Sequence, residues 1–396
     1  MRTELAPGPW LRLSALVAAG GTLLAVVSGA AGLGTAHRLL AALVAPPLAA
    51  LVVSAWYAHR RLVPATLVAA ALFAAAAAVP AQHAHAGLAA FALAALVVVV
   101  AESFRGERIP WGSWRDYITL TKPRIMSLLL ITGFCGMIAG AGGWPGSGLA
   151  VAAMVGLGLA CGGASALNHV LDRDIDPLMG ERTRSRPVAS GRVPPSRALE
   201  FGLALSALSF VLLASAVNVL TAVLALVGNL FYVLVYTRLL KRSTPQNIVI
   251  GGAAGAVPPL VDWAAATGHV GIAALILFAI VFIWTPPHFW ALALLIKDNY
   301  ANARVPMLPV VRGEQATARQ IVLYSLVLVA ATLLPWGWGG AGPLYVVCAL
   351  ALGGVFVWLA ERLRRNTAPR QAMVLFHYSL LYLALLFAAL AVDAVI

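Results

Sequence analysis

Apolar segments about as long as a membrane is thick alternate with short polar segments along most of the chain. A transmembrane helix needs about 20 mostly apolar residues, and segments of roughly that length recur thirteen times. They cover residues 11–31, 39–57, 63–80, 86–101, 124–142, 148–171, 197–215, 219–238, 246–266, 271–296, 320–337, 343–360 and 373–395. This pattern predicts an all-α protein that crosses a lipid bilayer many times.

A longer polar stretch at 102–123 separates the first four apolar segments from the last nine. Its charged, Gly and Pro residues indicate a linker, and its aromatic residues suit the headgroup layer of a membrane. We therefore expect three parts: an N-terminal four-helix extension at 1–102, a linker with an interfacial segment at 103–123, and a nine-helix domain at 124–396.

Basic residues are concentrated in every second loop, and the alternate loops are almost free of Lys and Arg. This positive-inside pattern predicts a cell-membrane protein whose N-terminus and polar loops face the cytoplasm and whose C-terminus lies outside. The net charge of +13 then reflects membrane orientation, and no nucleic-acid partner is expected. Hydrophobic residues make up 61% of the chain, which excludes an ordinary soluble domain. The cysteines lie in apolar segments without a CxxC pair, so neither a disulfide framework nor a zinc site is indicated.

Three polar residues stand four apart at the end of the sixth apolar segment: Asn168, Asp172 and Asp176. Residues at i, i+4 and i+8 share one face of a helix, and we call this set the acid row. Carboxylates at a membrane margin are costly unless something compensates them. Oxygen ligands in a row suit Mg²⁺, which usually completes its shell with water and substrate phosphate. Six arginines follow at once, as a magnesium–diphosphate group would require: Arg173, Arg182, Arg184, Arg186, Arg192 and Arg197. The alternative is a solvated acidic loop that merely neutralises its arginines.

Two further polar clusters follow. Tyr236 ends a helix just before a basic turn, and the glycines with Pro258–Pro259 in the next segment predict an interruption of that helix. The segment Trp284–Trp290 contains a Pro pair that predicts a kink. Asp298 and Asn302 then repeat the i, i+4 spacing of oxygen side chains at a predicted cytoplasmic helix end.

These residues together resemble the UbiA superfamily of intramembrane prenyltransferases, and within it the protohaem IX farnesyltransferase (haem O synthase) family. The resemblance covers about residues 115–395 and rests on several long motifs. Besides the acid row, they are Thr121–Arg124, Asp172–Pro177, Arg182–Pro187, Lys241–Gly252, Ala256–Leu260, Trp284–Trp290 and Val305–Val310.

The resemblance implies transfer of a farnesyl group from farnesyl diphosphate to a vinyl group of haem B, with Mg²⁺, or Mn²⁺ in its place, as cofactor. The candidate metal ligands are Asn168, Asp172, Asp176 and Asp298. The candidate diphosphate contacts are Lys122, Arg124, Arg182, Arg186, Lys241, Lys297 and Tyr300, and Tyr236 would shield the allylic cation. The candidate haem contacts are His288, Trp284 and Trp290.

Several alternatives stay open at this stage. Lys297 and Tyr300 could simply anchor a helix at the interface, and His288 could be a packed histidine of an aromatic cluster. A prenyltransferase of the quinone or chlorophyll class is the second enzyme hypothesis. An ion-coupled transporter is a third, although its charged sites would be expected at the bilayer midplane.

The chain departs from the superfamily pattern in its second motif, where Asn302 replaces an acid, and at Asp262, where a small residue is usual. The N-terminal extension resembles half of a haem A synthase bundle through His37, His83 and His85. This weaker resemblance implies a haem site there, with haem A synthase or oxidase assembly factors as partners; histidines without a ligand are the alternative.

Overall fold

The computed structural model describes residues 9–30, 34–58, 62–78, 82–103, 112–337 and 340–396, and all regular structure within them is helical. The helices in chain order are α1 (Pro9–Ala30), α2 (Gly34–Ala58), α3 (Val63–Ala78), α4 (Gln82–Ser103), α5 (Trp114–Thr121), α6 (Pro123–Ala141), α7 (Ser147–Leu171), α8 (Glu181–Arg184), α9 (Pro195–Ala216), α10 (Val219–Leu230), α11 (Lys241–Ser243), α12 (Asn247–Thr267), α13 (Ile272–Leu295), α14 (Lys297–Asn302), α15 (Leu308–Arg312), α16 (Glu314–Thr332), α17 (Leu334–Gly337), α18 (Pro343–Arg365) and α19 (Pro369–Asp393).

The described part of the chain contains nine helices long and apolar enough to cross a membrane, all of them after residue 122. Four shorter apolar helical stretches precede them, in α1, α2, α3 and α4. The prediction of an all-α membrane protein with nine spanning helices and four extra N-terminal helices is confirmed. Among the helix starts, the largest shift is that of α16, which begins at Glu314, six residues before the predicted segment.

Small residues allow α7 and α9 to lie unusually close together. A Cβ atom added to Gly163 would lie 2.5 Å from Ser206 Oγ, and one added to Gly156 would lie 2.3 Å from Leu213 Cδ2. Close approach through small residues is the usual way in which helices associate in membranes, where water supplies no hydrophobic driving force between them. The packing fixes α7, which carries the first residue of the acid row at its end.

The predicted interruption of α12 is wrong. Pro258 and Pro259 lie inside a continuous helix, as do Pro286 and Pro287 in α13. Neighbouring helices in a membrane bundle can compensate the hydrogen bonds that prolines remove. The irregular backbone lies one helix earlier, in the π-helical segment Phe231–Leu240 between α10 and α11. Such segments often occur at functional sites, and this one carries Tyr236.

The N-terminal helices pack on the nine-helix part through α9. Val26 of α1 and Leu93 of α4 share a buried apolar cluster with Val211 of α9. An ion pair adds to this contact: the buried Arg197 donates to Glu102 at the end of α4. Arg197 also donates to Glu200 Oε2 in its own helix, at 2.9 Å.

Within the proposed linker, Trp114–Thr121 forms α5. This helix is fixed to α7 because the Ser165 hydroxyl donates to the Leu120 carbonyl. The division at 103–123 remains a prediction, and the contact across it is larger than a loose linker implies.

Candidate active site

The acid row begins in α7 and continues beyond its end. The helix ends at Leu171, earlier than an unbroken row would require, and Asp172 is its C-terminal cap. The i+4 hydrogen bonding nevertheless continues: the Asp172 amide donates to the Asn168 carbonyl and the Asp176 amide to the Asp172 carbonyl, both at 2.9 Å. Two successive turns therefore keep the three side chains close to one another.

Asn168 is the hub of a buried hydrogen-bond network. Its Oδ1 accepts from Lys122 Nζ at 2.7 Å, and its Nδ2 donates to Asp172 Oδ2 at 2.9 Å and to Thr237 Oγ1 at 3.1 Å. Thr237 in turn donates to the Tyr232 carbonyl within the π-helical segment. The network joins α7, the α5–α6 junction and the irregular part of the fourth spanning helix.

Both carboxylates of the row are fully buried and each is paired with a cation. Lys241 Nζ lies 2.6 Å from Asp172 Oδ2, and Arg186 Nη1 lies 2.6 Å from Asp176 Oδ1. Buried charges persist only when they are paired and hydrogen-bonded. Lys122 lies beside the row, and Arg242 Nη2 is 4.0 Å from Asp172 Oδ1. Basic groups therefore outnumber the two buried carboxylates, which favours an anion such as diphosphate.

Asp174 lies outside this arrangement, as its position off the row predicts. It is largely exposed and forms a two-pronged ion pair with Arg242, at 2.6 and 2.7 Å. The same guanidinium donates to the Leu171 carbonyl and so closes the end of α7. The hydrogen bonds from Arg242 to the Asp174 carboxylate lower the pKa of Asp174, which therefore stays ionised at the surface.

One oxygen on each acid accepts no hydrogen bond within the described residues, and the nearest cation to Asp172 Oδ1 is Arg242 Nη2 at 4.0 Å. Asp172 Oδ1 and Asp176 Oδ2 are buried without a hydrogen bond, and such orphaned acceptors normally have a partner of some kind. They fit Mg²⁺, which prefers oxygen ligands and takes only one or two carboxylates from the protein. The described residues contain no group of three or more His, Cys, Asp or Glu side chains that could hold a metal, so water and substrate oxygens would have to complete the shell.

Burial also shapes the protonation of the site. Burial, together with the nearby positive charge of Arg186, lowers the pKa of Lys122 to about 7. Lys122 occupies the left-handed region at φ 52°, between α5 and Pro123. A non-glycine residue there is strained, and strain of this kind is concentrated at functional sites. Burial raises the pKa of Asp176, with Arg186 acting in the opposite direction.

Not all predicted diphosphate contacts gather here. Arg124 and Arg182 are exposed at the surface. Lys297 pairs with Glu314, with 3.1 Å between Nζ and Oε1, rather than with the acid row. Asp298 is exposed on α14, and it is not part of a metal-binding group within the described residues. The structure therefore does not bring these four residues to the acid row.

Two tyrosine side chains lie in the same π-helical segment as Thr237. Tyr236 stacks on Tyr232 with 5.5 Å between ring centroids, and it packs against a buried cluster that includes Tyr300 and Ile175. Tyr300, predicted to contact diphosphate, is 4% exposed, and burial raises its pKa, so it stays a neutral phenol. Gly251 makes room for Tyr236, because a Cβ there would lie 2.2 Å from the ring.

The predicted haem contacts divide between two faces of α13. His288 lies between Trp284, at 4.3 Å between centroids, and Phe376 of α19, at 4.9 Å. Trp290 is on another face, buried edge-on against Tyr324 of α16. The structure therefore brings Trp284 and His288 together but separates Trp290 from them.

Sequence reasoning missed two polar residues close to these groups. Thr237 is completely buried and holds Asn168; its place directly after Tyr236 was the available signal. Asn247, at the start of α12, is completely buried with both side-chain amide atoms unpaired. The next residue, Ile248, packs in the same apolar cluster as Ile175, the residue before Asp176.

The predicted haem histidines of the N-terminal extension are only partly described. His37 Nδ1 lies 2.7 Å from the Ala25 carbonyl oxygen, whereas the side chains of His83 and His85 are outside the described part of the chain.

Comparison with known proteins decides the family. The model of the UbiA prenyltransferase family matches residues 129–387, well over half of the chain. The chain belongs to the UbiA prenyltransferase family. The predicted superfamily and enzyme class are thereby confirmed.

Curated relatives within this family are closely similar over the nine-helix part. A protohaem IX farnesyltransferase from Symbiobacterium thermophilum is 55% identical over 281 residues, covering 70% of this chain and 94% of the relative. One from Pseudomonas putida is 53% identical, over 71% of this chain and 95% of the relative. One from Thermus thermophilus is 51% identical over 282 residues, which make up 46% of that longer relative.

Solved structures share the fold at low sequence identity. A digeranylgeranylglyceryl phosphate synthase structure aligns with a TM-score of 0.60 at 17% identity, over 71% of this chain and 98% of that one. A UbiA homolog from Archaeoglobus fulgidus bound to DMAPP and Mg²⁺ aligns with a TM-score of 0.51 at 18% identity, over 70% and 99%. These likenesses confirm the fold as a UbiA-type helical bundle.

Proposed function

We propose that the protein transfers a farnesyl group from farnesyl diphosphate to a vinyl group of haem B and produces haem O for oxidase assembly. The observation that carries the choice of substrates is the 55% identity to a protohaem IX farnesyltransferase over 94% of its length. The buried acid row with its orphaned oxygens supports the chemistry independently.

Asn168, Asp172 and Asp176 are the residues that would hold Mg²⁺, with Mn²⁺ as a substitute because it also accepts oxygen ligands. When bound, the ion neutralises charge that develops on the leaving diphosphate. The exposed position of Asp298 gives no support to a second ion there. Asn168 has a second role, because its Nδ2 group donates a hydrogen bond to Asp172 Oδ2 and so orients that carboxylate.

Lys122, Arg186 and Lys241 supply positive charge at the same place. Their donors lie within 2.7 Å of acid-row oxygens, so they are already directed at the position of the diphosphate. Donors fixed before the reaction stabilise developing charge without further reorganisation. Arg124 and Arg182 are exposed at the surface, and we assign them a role in attracting the anion from solution.

Bond breaking at C1 of the farnesyl chain releases diphosphate and leaves an allylic cation. Tyr236 and Tyr232 would face this cation, because aromatic faces attract positive charge. The vinyl carbon then bonds to C1, and water captures the resulting porphyrin side-chain cation and loses a proton to solvent. The product carries a hydroxyl and the farnesyl group.

The haem would lie against the α13 face formed by Trp284 and His288. Phe289, the next residue, packs on the cluster that contains Tyr236 and Tyr300, so the two proposed substrate regions are neighbours along α13. Proximity of this kind is what the transfer requires. Trp290 is assigned a packing role in place of direct haem contact.

The acid row and its loops are assigned to the cytoplasmic face by the charge pattern, which also places the C-terminus outside. The N-terminal helices are proposed as a haem-delivery or partner-docking module for haem A synthase or oxidase assembly factors. Their packing on α9 makes them part of one membrane unit with the transferase.

The test is a reaction of purified protein with farnesyl diphosphate, Mg²⁺ and either haem B or an aromatic quinone precursor, with products identified by mass spectrometry. We expect haem O from haem B and no prenylated quinone precursor. Prenylation of the quinone precursor alone would transfer the assignment to that branch of the family. Release of diphosphate with neither product, or ion flux in vesicles, would count against both enzymes.

A further inference from the structure

A serine of the last helix holds both of the residues proposed to face haem. Ser379 is completely buried in α19. Its hydroxyl oxygen lies 2.6 Å from His288 Nδ1, and its backbone carbonyl accepts a hydrogen bond from Trp284 Nε1 at 2.9 Å. One residue therefore fixes the imidazole and the indole that stack on each other.

The hydrogen bonds of Ser379 determine the tautomer of His288. Ser379 Oγ also lies 2.6 Å from the Phe376 carbonyl oxygen. A hydroxyl has one proton to donate. If that proton pointed at His288, two oxygens would face each other at 2.6 Å without a hydrogen between them. The serine therefore donates to Phe376 and accepts from the Nδ1–H group of His288.

This arrangement leaves Nε2 of His288 with a free lone pair. Nε2 makes no hydrogen bond within the described residues, and it is not among their buried unpaired atoms. The rings of Trp284 and Phe376 on either side restrict rotation of the imidazole. A fixed imidazole whose second nitrogen donates to a protein oxygen is the usual state of a metal-ligating histidine.

We propose that Ser379 is a positioning residue for the haem substrate: it holds His288 as the Nδ1–H tautomer, with Nε2 presented to the haem iron. The inference rests on the proposed function, because it assumes that haem B lies against this face of α13. It goes further in naming the ligand atom and the residue that prepares it. Coordination by His288 would then fix the position of the porphyrin along α13, beside the cluster that contains Tyr236 and Tyr300.

The experiment is a titration of the full-length protein in detergent with ferric haem B, without farnesyl diphosphate. His37, His83 and His85 are replaced by Ala in every sample, so that the N-terminal extension does not contribute ligands. The variants on this background are Ser379→Ala, Ser379→Thr, His288→Ala and Ser325→Ala. Ser325 is the matched control, because it is equally buried and its hydroxyl also bonds a carbonyl of its own helix.

Ser379→Ala removes the acceptor of the Nδ1–H group and keeps the backbone carbonyl that holds Trp284. We expect haem affinity to fall roughly 10- to 100-fold, the range seen when a partner of a metal-bound histidine is lost. The Soret and electron paramagnetic resonance signals should change with it. The KM for farnesyl diphosphate should stay unchanged, Ser379→Thr should restore binding, and Ser325→Ala should match the parent.

Two results would overturn the inference in distinguishable ways. If His288→Ala loses the iron signal but Ser379→Ala matches the parent, Ser379 has no positioning role while the haem face stands. If His288→Ala binds haem with an unchanged spectrum, the iron contact and the serine role both fail. Haem O formation by the same samples shows whether the proposed reaction survives either result, and thermal melting confirms that each variant is folded.

Discussion

Lys241 Nζ and Asp172 Oδ2 lie 2.6 Å apart, and both side chains are buried. The pair joins the end of α7 to α11, two elements nearly 70 residues apart in the chain. The other oxygen, Asp172 Oδ1, accepts no hydrogen bond and has only Arg242 Nη2 at 4.0 Å as a neighbouring cation, so this buried carboxylate can accept a further positive ligand. This relationship underlies the assignment of the acid row as a metal and diphosphate site.

The carboxylates of the acid row should be indispensable. We expect Asp172→Asn and Asp176→Asn each to lower the rate of haem O formation by about 100-fold or more, the scale seen when one preorganised electrostatic contact is removed. Turnover at saturating Mg²⁺ with product mass spectrometry is the measurement. Asp174→Asn is the control, since Asp174 is exposed and off the row, and it should keep near-normal turnover. Near-normal turnover in either row variant would remove the metal-ligand assignment.

Two lysines that looked alike in the sequence should behave differently. Lys241→Met leaves the Asp172 charge buried without its close partner, which typically costs about 3–5 kcal/mol. Lys297→Met breaks a partly exposed pair with Glu314, worth about 0–1 kcal/mol. Thermal unfolding and the KM for farnesyl diphosphate should both be affected strongly only in Lys241→Met. A large rise in KM in Lys297→Met would restore the sequence-based diphosphate role of Lys297.

The position of the Tyr236 ring should control the fate of the allylic cation. Gly251→Ala adds a Cβ that would lie 2.2 Å from the ring, whereas a Cβ on Gly255 in the same helix meets nothing within 4 Å. We expect Gly251→Ala to lower haem O formation by about 10- to 100-fold, since small displacements at a reacting centre have effects of this size. The ratio of farnesol to haem O should rise. Gly255→Ala is the control. If it changed haem O formation and the farnesol ratio as much as Gly251→Ala does, the position of the Tyr236 ring would not control the fate of the cation.

The N-terminal helices should contribute stability more than chemistry. A chain starting near Ser103 retains every acid-row residue, so we expect it to form haem O from supplied haem B. It should melt at a lower temperature, because α9 loses its contacts with α1 and α4 and Arg197 loses Glu102. Glu102→Gln in the full-length protein isolates the ion-pair contribution. A well-folded but inactive truncated protein would make the extension part of the active unit.

Much of the fold could be predicted from hydrophobic patterning, because apolar segments of membrane length have few alternatives to a helix. The acid row was equally visible, since the i+4 spacing survives the end of α7 at Leu171. The interruption of α12 was a wrong prediction, because the sequence does not show that neighbouring helices compensate Pro258 and Pro259. The irregular backbone lay in Phe231–Leu240, where no Pro or Gly marks it.

Contacts between distant elements were beyond the reach of the sequence. The pairing of Lys297 with Glu314 depends on how α14 meets α16, and the burial of Trp290 against Tyr324 depends on the rotation of α13. The hydrogen bond between His288 and Ser379 joins residues 91 positions apart. Spacing rules describe neighbours on one helix face, and none of these pairs belongs to one helix.

Removal and return of the metal test the central claim most directly. Protein freed of divalent ions with EDTA is supplied with haem B and farnesyl diphosphate, and diphosphate release and haem O are followed together while Mg²⁺ is added. We predict that neither product forms without metal, and that both appear in step as Mg²⁺, or Mn²⁺ in a parallel series, is restored. Full haem O formation in metal-free buffer would contradict the assignment of Asp172 and Asp176 as ligands of the ion that carries the diphosphate.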